Sequence, residues 1–451
     1  RYDGTSRFMK DQRWNFFPSF SLGWNVAREN FWKPLESVVN QFKLRGSWGE
    51  LGNQNTSNLY PFYEILPVKS NSGNWLVNGG KTNTADIPSL VSTLLTWERV
   101  RSFNVGFDFG AFSNRLTGSF DYFVRKTVDM VGPAPQLPLV LGIAPAIVNN
   151  ADMKSYGFEI ELSWRDRIGE VDYGVKFNLA DAQQKVVKYP NTTNAFNDWY
   201  AGKMSGEIWG YTSLGIAKTD EEMKEHLASL PNGGQNQLGN KWGAGDIMYA
   251  DINGDGKVDG GKGTLADPGD QRIIGNSTPR YNFGLVLDAS YKGFDVSIFF
   301  QGVGKRDYAP IVGTNGAVFW GAVNNIWQSM AMEEHFDYFR PEGHPMGANL
   351  NGYYPRPDFT SNKNHQVQTR YLQDASYIRL KNLQIGYTLP KQWINKLHIN
   401  RCRVYVSGDN LWTGTSLASM FDPETLAAGD WGSGKTYPLS KVISFGLNVN
   451  F

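Results

Sequence analysis

Four oxygen-bearing side chains, Asp251, Asn253, Asp255 and Asp259, stand at positions 1, 3, 5 and 9 of the run Asp-Ile-Asn-Gly-Asp-Gly-Lys-Val-Asp. Gly256 at position 6 permits a sharp turn, and Lys257 at position 7 offers its backbone carbonyl. That is the donor order of an EF-hand-type loop around calcium, a hard cation that takes oxygen ligands. Position 12, which normally supplies an acidic bidentate ligand, is Lys262. The spacing predicts structural calcium; the bland alternative is a Gly/Asp-rich loop whose carboxylates cap its own turns.

No other chemistry assembles. Ser205-Gly206-Glu207 has no adjacent His and no nucleophile-elbow context, and His226, His335, His344, His365 and His398 are scattered. Asn232-Gly233-Gly234 lacks the lysine and helix of a phosphate loop. The single Cys402 cannot make an intramolecular disulfide. Enzyme activity is not expected. Trp75, Trp199, Trp209, Trp242, Trp320, Trp327 and Trp431 fall in long connections, where rings stack on sugars or meet a partner, or simply pack the loops. Trp320, between Gly316 and Gly321, is the substrate-contact candidate.

The elements that must position these groups are strands. From Ile443 the odd positions read Ile443, Phe445, Leu447, Val449, Phe451, and the even ones Ser444, Gly446, Asn448, Asn450. This is period-two alternation, one apolar face and one polar. The same alternation runs through 116–124, 156–164, 171–179, 281–287 and 294–300. Residues 1–8, 14–26, 42–48, 103–109, 377–389 and 403–407 complete about twelve candidates, each near the ~10 residues of a membrane-crossing strand. Residues 220–230 read as a short surface helix.

Composition agrees. Of 451 residues 14% are aromatic and 49 are Gly, while mean hydropathy is -0.42. No apolar run is long enough for a membrane helix, which leaves open a barrel whose lipid face uses alternate residues. With 44 Lys plus Arg against 43 Asp plus Glu, no nucleic-acid surface is announced. Connections alternate in length, with the compact 9–12 as the only exception: long at 51–96, 131–150, 188–279, 304–376 and 413–440, short at 29–40, 111–114, 165–170, 291–293 and 390–400. Strands running up and down then place every long loop on one rim, the asymmetry of an outer-membrane barrel.

Several motifs in order resemble the SusC/RagA family of TonB-dependent outer-membrane transporters. They are Lys43-Leu44-Arg45-Gly46-Ser47-Trp48-Gly49, Asn150-Ala151-Asp152-Met153-Lys154-Ser155-Tyr156-Gly157, Gly245-Asp246-Ile247 leading into the acidic loop, Ile274-Gly275-Asn276, Tyr291-Lys292-Gly293-Phe294-Asp295, Tyr377-Ile378-Arg379-Leu380-Lys381-Asn382-Leu383 and Val404-Tyr405-Val406-Ser407-Gly408-Asp409-Asn410. The resemblance implies an all-β protein. It would be a transmembrane antiparallel barrel of which this chain forms the C-terminal portion, about the last twelve strands of 22, with long extracellular loops. It implies a plug and early strands elsewhere, so this chain is expected to pair with an N-terminal barrel and plug portion. It also implies TonB, a SusD-like surface lipoprotein, outer-membrane lipid and an oligosaccharide or oligopeptide cargo.

Against the family pattern, 260–269 is an insert that displaces an Asp to position 270. Asp270, or failing it Asp267, is expected to supply the missing calcium carboxylate. Phe445, Leu447, Val449 and Phe451 are expected to form the C-terminal assembly signal of the barrel. A passive porin, or a soluble calcium-containing β-sandwich or carbohydrate-binding module, is the alternative.

Overall fold

The computed structural model describes every residue except 55–58, 135–137, 139, 141, 144, 311–332, 359–362, 396–397 and 427–435. Eleven strands form one antiparallel sheet in which chain order and spatial order coincide. They are β1 (Ser19–Asn25), β2 (Val39–Asn53), β3 (Glu98–Ala111), β4 (Leu116–Gly132), β5 (Val148–Ile168), β6 (Val171–Lys188), β7 (Arg280–Tyr291), β8 (Phe294–Lys305), β9 (Tyr377–Thr388), β10 (Arg401–Thr415) and β11 (Val442–Asn450). Every neighbour is joined by the next connection, so the long connections all leave one rim and the short ones the other.

Alternation becomes two chemically distinct faces because register aligns like with like. One row of directly opposed residues reads Leu44, Phe107, Phe120, Ile160, Leu179, Phe283 across six strands. Another reads Val296, Ile385, Val406, Phe445 across the last four. Such cross-strand apolar pairs stabilise a sheet by about 0.2–1 kcal/mol each. None of these side chains is fully buried, and Leu44, Ile385 and Phe445 are exposed, Phe445 at 86%, which suits a surface solvated by lipid. The opposite face carries charge: Arg45 on β2 bonds Asp108 on β3 at 2.9 Å and Asp121 on β4 at 2.8 and 3.0 Å. Arg403 on β10 reaches Asp295 on β8 and Gln384 on β9.

The strands exceed a bilayer. β5 has 21 residues and β6 has 18; at ~3.3 Å per residue β5 is about 65 Å long, and tilted by ~45° it still rises about 45 Å, beyond the ~30 Å hydrocarbon layer. Their upper halves therefore rise above the membrane on the long-loop side. The opening departs from the sequence expectation. Residues 14–26 do not form one strand, because Pro18 has no N–H for the ladder and the pairing breaks there. Tyr2–Gly4 pairs with Trp14–Phe16 as a separate ribbon, and Phe8, Phe17, Leu95 and Trp97 form a small core beneath it. On the short rim, the β7–β8 turn is Lys292-Gly293, both with positive φ, the two-residue hairpin that continues the twist of its strands.

Candidate functional site

Above the sheet, three long connections fold together. Tyr211, Ile247, Tyr249 and Val258 from 189–279, Tyr308 and Tyr371 from 306–376, and Leu417 and Phe421 from 416–441 share one buried core. The expected helix is α1 (Asp220–Ala228). Thr219 caps it, accepting from the Glu222 amide at 3.1 Å, and three acidic residues in its first turn face the positive end of its dipole.

Two ion networks fasten this cap. Asp246 is fully buried and accepts from Lys363 Nζ at 2.8 Å, Arg356 at 2.7 and 2.8 Å, Asn364 Nδ2 at 2.9 Å and the Gly243 amide at 2.9 Å. Lys363 is also buried, its ammonium 5.1 Å from the centre of the Trp242 ring. The second network ties cap to wall. Leu380 opposes Phe300 of the lipid face, so its neighbour Arg379 points to the lumen side. Arg379 bonds Asp422 at 2.7 Å and Glu424 at 2.8 Å, and Lys381 bonds Glu424 at 2.6 Å. The segment leading from β10 is thus drawn inward over the mouth of the wall.

The acidic loop sits on the flank of the cap. Asp251 accepts from the amides of Gly254 at 2.7 Å and Gly256 at 2.8 Å. Asn253 accepts from Asp255 N at 3.0 Å, and Asp255 from Lys257 N at 3.1 Å. Gly254 and Gly256 take the positive φ that these turns require. Asp259 is turned aside: one oxygen lies 2.5 Å from Lys257 Nζ and the other accepts from Gly261 N at 2.7 Å. This pairing lowers the Asp259 carboxyl and raises the Lys257 ammonium.

Asp270 is brought to the loop as expected, but it faces the backbone. It accepts from the amides of Ile252 at 2.7 Å, Asn253 at 3.3 Å and Asp259 at 2.8 Å, and burial raises its carboxyl. Asp267 serves its own turn, its carbonyl accepting from the Lys262 and Thr264 amides. Among the described residues, no group of three or more His, Cys, Asp or Glu side chains is arranged to hold a metal ion. Asp251, Asn253 and Asp255 accept amides of their own loop, Asp259 is held by Lys257 and the Gly261 amide, and Asp270 by three backbone amides, so an ion at any of them would have to replace hydrogen bonds.

Of the loop tryptophans, Trp209 stacks on Phe196 at 4.6 Å and Trp242 lies in the Lys363 site, so both pack the cap. Trp75 and Trp199 are exposed, and Trp320, Trp327 and Trp431 lie outside the described residues. Phe445, Leu447 and Val449 line the lipid face of β11 opposite Val406, Val404 and Cys402, with Phe451 exposed just beyond. Sequence reasoning missed both ion networks. Asp246 and Arg379 stood in quoted motifs, yet nothing marked Lys363, Asp422 or Glu424 as their partners.

An up-and-down antiparallel wall, apolar outside and charged inside, with its long connections on one rim, defines an outer-membrane β-barrel. The chain belongs to the TonB dependent receptor-like, beta-barrel family, which it matches over residues 1–411. It is 30% identical to TonB-dependent receptor P3 of Formosa agariphila, covering 100% of this chain and 43% of that protein. It is 23% identical to TonB-dependent receptor SusC of Bacteroides thetaiotaomicron, covering 100% of this chain and 41% of that protein. In fold it is similar to the RagAB peptide transporter, with a TM-score of 0.73 at 22% identity over 99% of this chain and 44% of that one. The chain spans less than half the length of the relatives it matches. These relatives are receptors and transporters of the outer membrane, not enzymes.

Proposed function

We propose that the complete protein imports oligosaccharides or oligopeptides across the outer membrane. A SusD-like lipoprotein would close over the long loops and TonB would drive release from the periplasm. The observation that carries this reading is the cap: three long connections share one core and are fastened by Arg379 to the lumen face, which makes a built extracellular mouth rather than loose loops. SusC and the RagAB peptide transporter support the class, and leave the choice of glycan or peptide to experiment. In this reading β1 and β11 each present an edge with no partner strand among the described residues, which lipid cannot satisfy, so strands of an N-terminal portion carrying the plug close the barrel. Phe445, Leu447, Val449 and Phe451 then serve as the signal read during barrel assembly.

Calcium belongs to this proposal at Asp251, Asn253, Asp255 and the Lys257 carbonyl, supported by their order in the loop; it would supply structural cross-linking there and no chemistry. The experiment for the main reading is purification of the complete protein from outer membranes, with identification of everything that copurifies. A surface lipoprotein and a bound oligomer are expected. A lone protein that conducts passively would replace the reading with a porin, and partition into the aqueous phase without detergent would replace it with a soluble module.

A further inference from the structure

The connection between β2 and β3 is built unlike the other long loops. The cap loops gather their large apolar side chains into a common core, whereas residues 59–94 turn theirs outward. Tyr63, Ile65, Leu66, Trp75, Leu76 and Leu94 are each more than half exposed. Internal order comes from ring contacts, Phe62 to Tyr63 at 4.5 Å among them, and from two ribbons of two-residue strands. The loop leaves the long-connection rim, so it stands in water, where lipid does not cover it. So many large apolar side chains exposed on one water-facing loop mark an interface.

Three observations say what covers it. The first is position: β2 and β3 are the second and third strands from the unpaired edge of β1, while the cap stands on the far strands β6 to β11. Second, the loop is electrically blank. Its charges are Glu64, Lys69, Lys81 and Asp86, which sum to zero, and Lys69 pairs with Asp86 at 2.5 Å, so no charged partner is called for. The third is length, since this chain matches 43% of the Formosa agariphila relative and the larger part of that relative lies outside the match.

We propose that residues 59–94 form an apolar seam packed against the extracellular loops of the strands that continue the sheet past β1. The seam is an internal joint of the closed barrel and not the docking surface of a separate protein. The inference rests on the closure proposed above and adds to it where the two parts meet outside the membrane.

Hydroxyl-radical footprinting of the complete receptor in detergent tests this, as purified and again stripped of any copurifying protein. Trp199 and Met346, both exposed in the cap, serve as solvent references. In the stripped receptor Tyr63, Leu66 and Trp75 are expected to oxidise several-fold more slowly than Trp199, with no change when the copurifying protein is retained. Protection that appears only with that protein would assign the surface to a separate partner and overturn the inference. Fast oxidation in both samples would overturn it as well. Heat-modifiable mobility on gels reports closure separately: fast oxidation in a heat-modifiable barrel removes the seam and spares the closure, whereas loss of heat modifiability removes both. A Leu66→Asp variant is expected to raise oxidation at Tyr63 and Trp75 while Met346 stays unchanged.

Discussion

Asp246 and Lys363, 117 residues apart in the chain, form an ion pair of 2.8 Å with both side chains buried. The pair joins two long connections that leave different strands, and it lies beside Ile247 and Tyr249 of the cap core. Coulomb attraction is strong at such a site, but so is the cost of stripping water from each ion. What makes the arrangement stable is completeness: Arg356, Asn364 and the Gly243 amide occupy the remaining acceptor sites of Asp246.

Removing the anion leaves the buried Lys363 ammonium without its carboxylate, beside the part-exposed Arg356. Asp246→Ala is therefore expected to destabilise the cap by about 3–5 kcal/mol, read as lost amide hydrogen-exchange protection at Ile247 and Tyr249. Lys363→Met keeps an apolar stem against Trp242 and leaves Asp246 with Arg356, so its loss is expected to be smaller. Equal protection in Asp246→Ala and wild type would show that the network does not hold the loops.

The second fastening predicts a different symptom. Arg379 is nearly fully buried and holds Asp422 and Glu424 against the lumen face. Arg379→Ala is expected to free the segment around Phe421 without opening the barrel. Chymotryptic cleavage at Phe421 is expected to speed up several-fold while heat-modifiable mobility stays unchanged. A barrel that fails to form in this variant would mean that Arg379 serves the wall and not the strap.

Acid is expected to loosen the cap. Burial lowers the His365 imidazole to about 4, and burial lowers His226 as well. A histidine depressed in the fold is neutral there, while the unfolded chain binds a proton below ~6.5. The unfolded state thus binds more protons between ~6.5 and about 4, and stability falls as pH drops through that window. For His365 the loss over that window is about 3 kcal/mol. Protection factors in the segment 363–371, corrected for the intrinsic slowing of exchange in acid, are expected to fall between pH 7 and 4.5, and His365→Gln to flatten the response; an unchanged pH profile in that variant would sink the assignment.

The wall was largely legible from the chain because a lipid face and a lumen face force side chains to alternate, and alternation survives in a single sequence at 116–124, 156–164 and 443–451. Its limits were less legible. β5 runs to 21 residues because its upper half leaves the membrane, where the pressure for an apolar face ends and the alternating signal fades. Pro18 marked the break after Phe17 in plain view, yet the apolar residues on both sides of it read as one strand. The cap was illegible for a different reason. Its core has no period, and Asp246, Lys363, Arg379 and Asp422 meet through chain returns of tens to over a hundred residues. Only the local part of the candidate site, the turn sequence from Asp251 to Asp259, could announce itself by spacing.

That turn separates two roles that the spacing alone merges. Asp270 is fully buried and accepts three backbone amides, from Ile252, Asn253 and Asp259, which would otherwise be left without partners inside the loop. Orphaning buried donors costs about 1–3 kcal/mol each. Only the Asp259 amide is buried, so Asp270→Ala is expected to loosen the loop by about 1–3 kcal/mol, with or without calcium, because the amides lose their acceptor in either case. Asp255 is exposed, and its carboxylate accepts one backbone amide, that of Lys257, and the side-chain amide of Asn253. Asp255→Ala is expected to leave the loop folded and to abolish the heat of calcium binding in calorimetry. If both variants and the wild type give the same heat, the loop holds no calcium and its acidic spacing serves turns alone. If chelation by itself loosens the wild-type loop as much as Asp270→Ala does, the ion and not the buried carboxylate is its organiser.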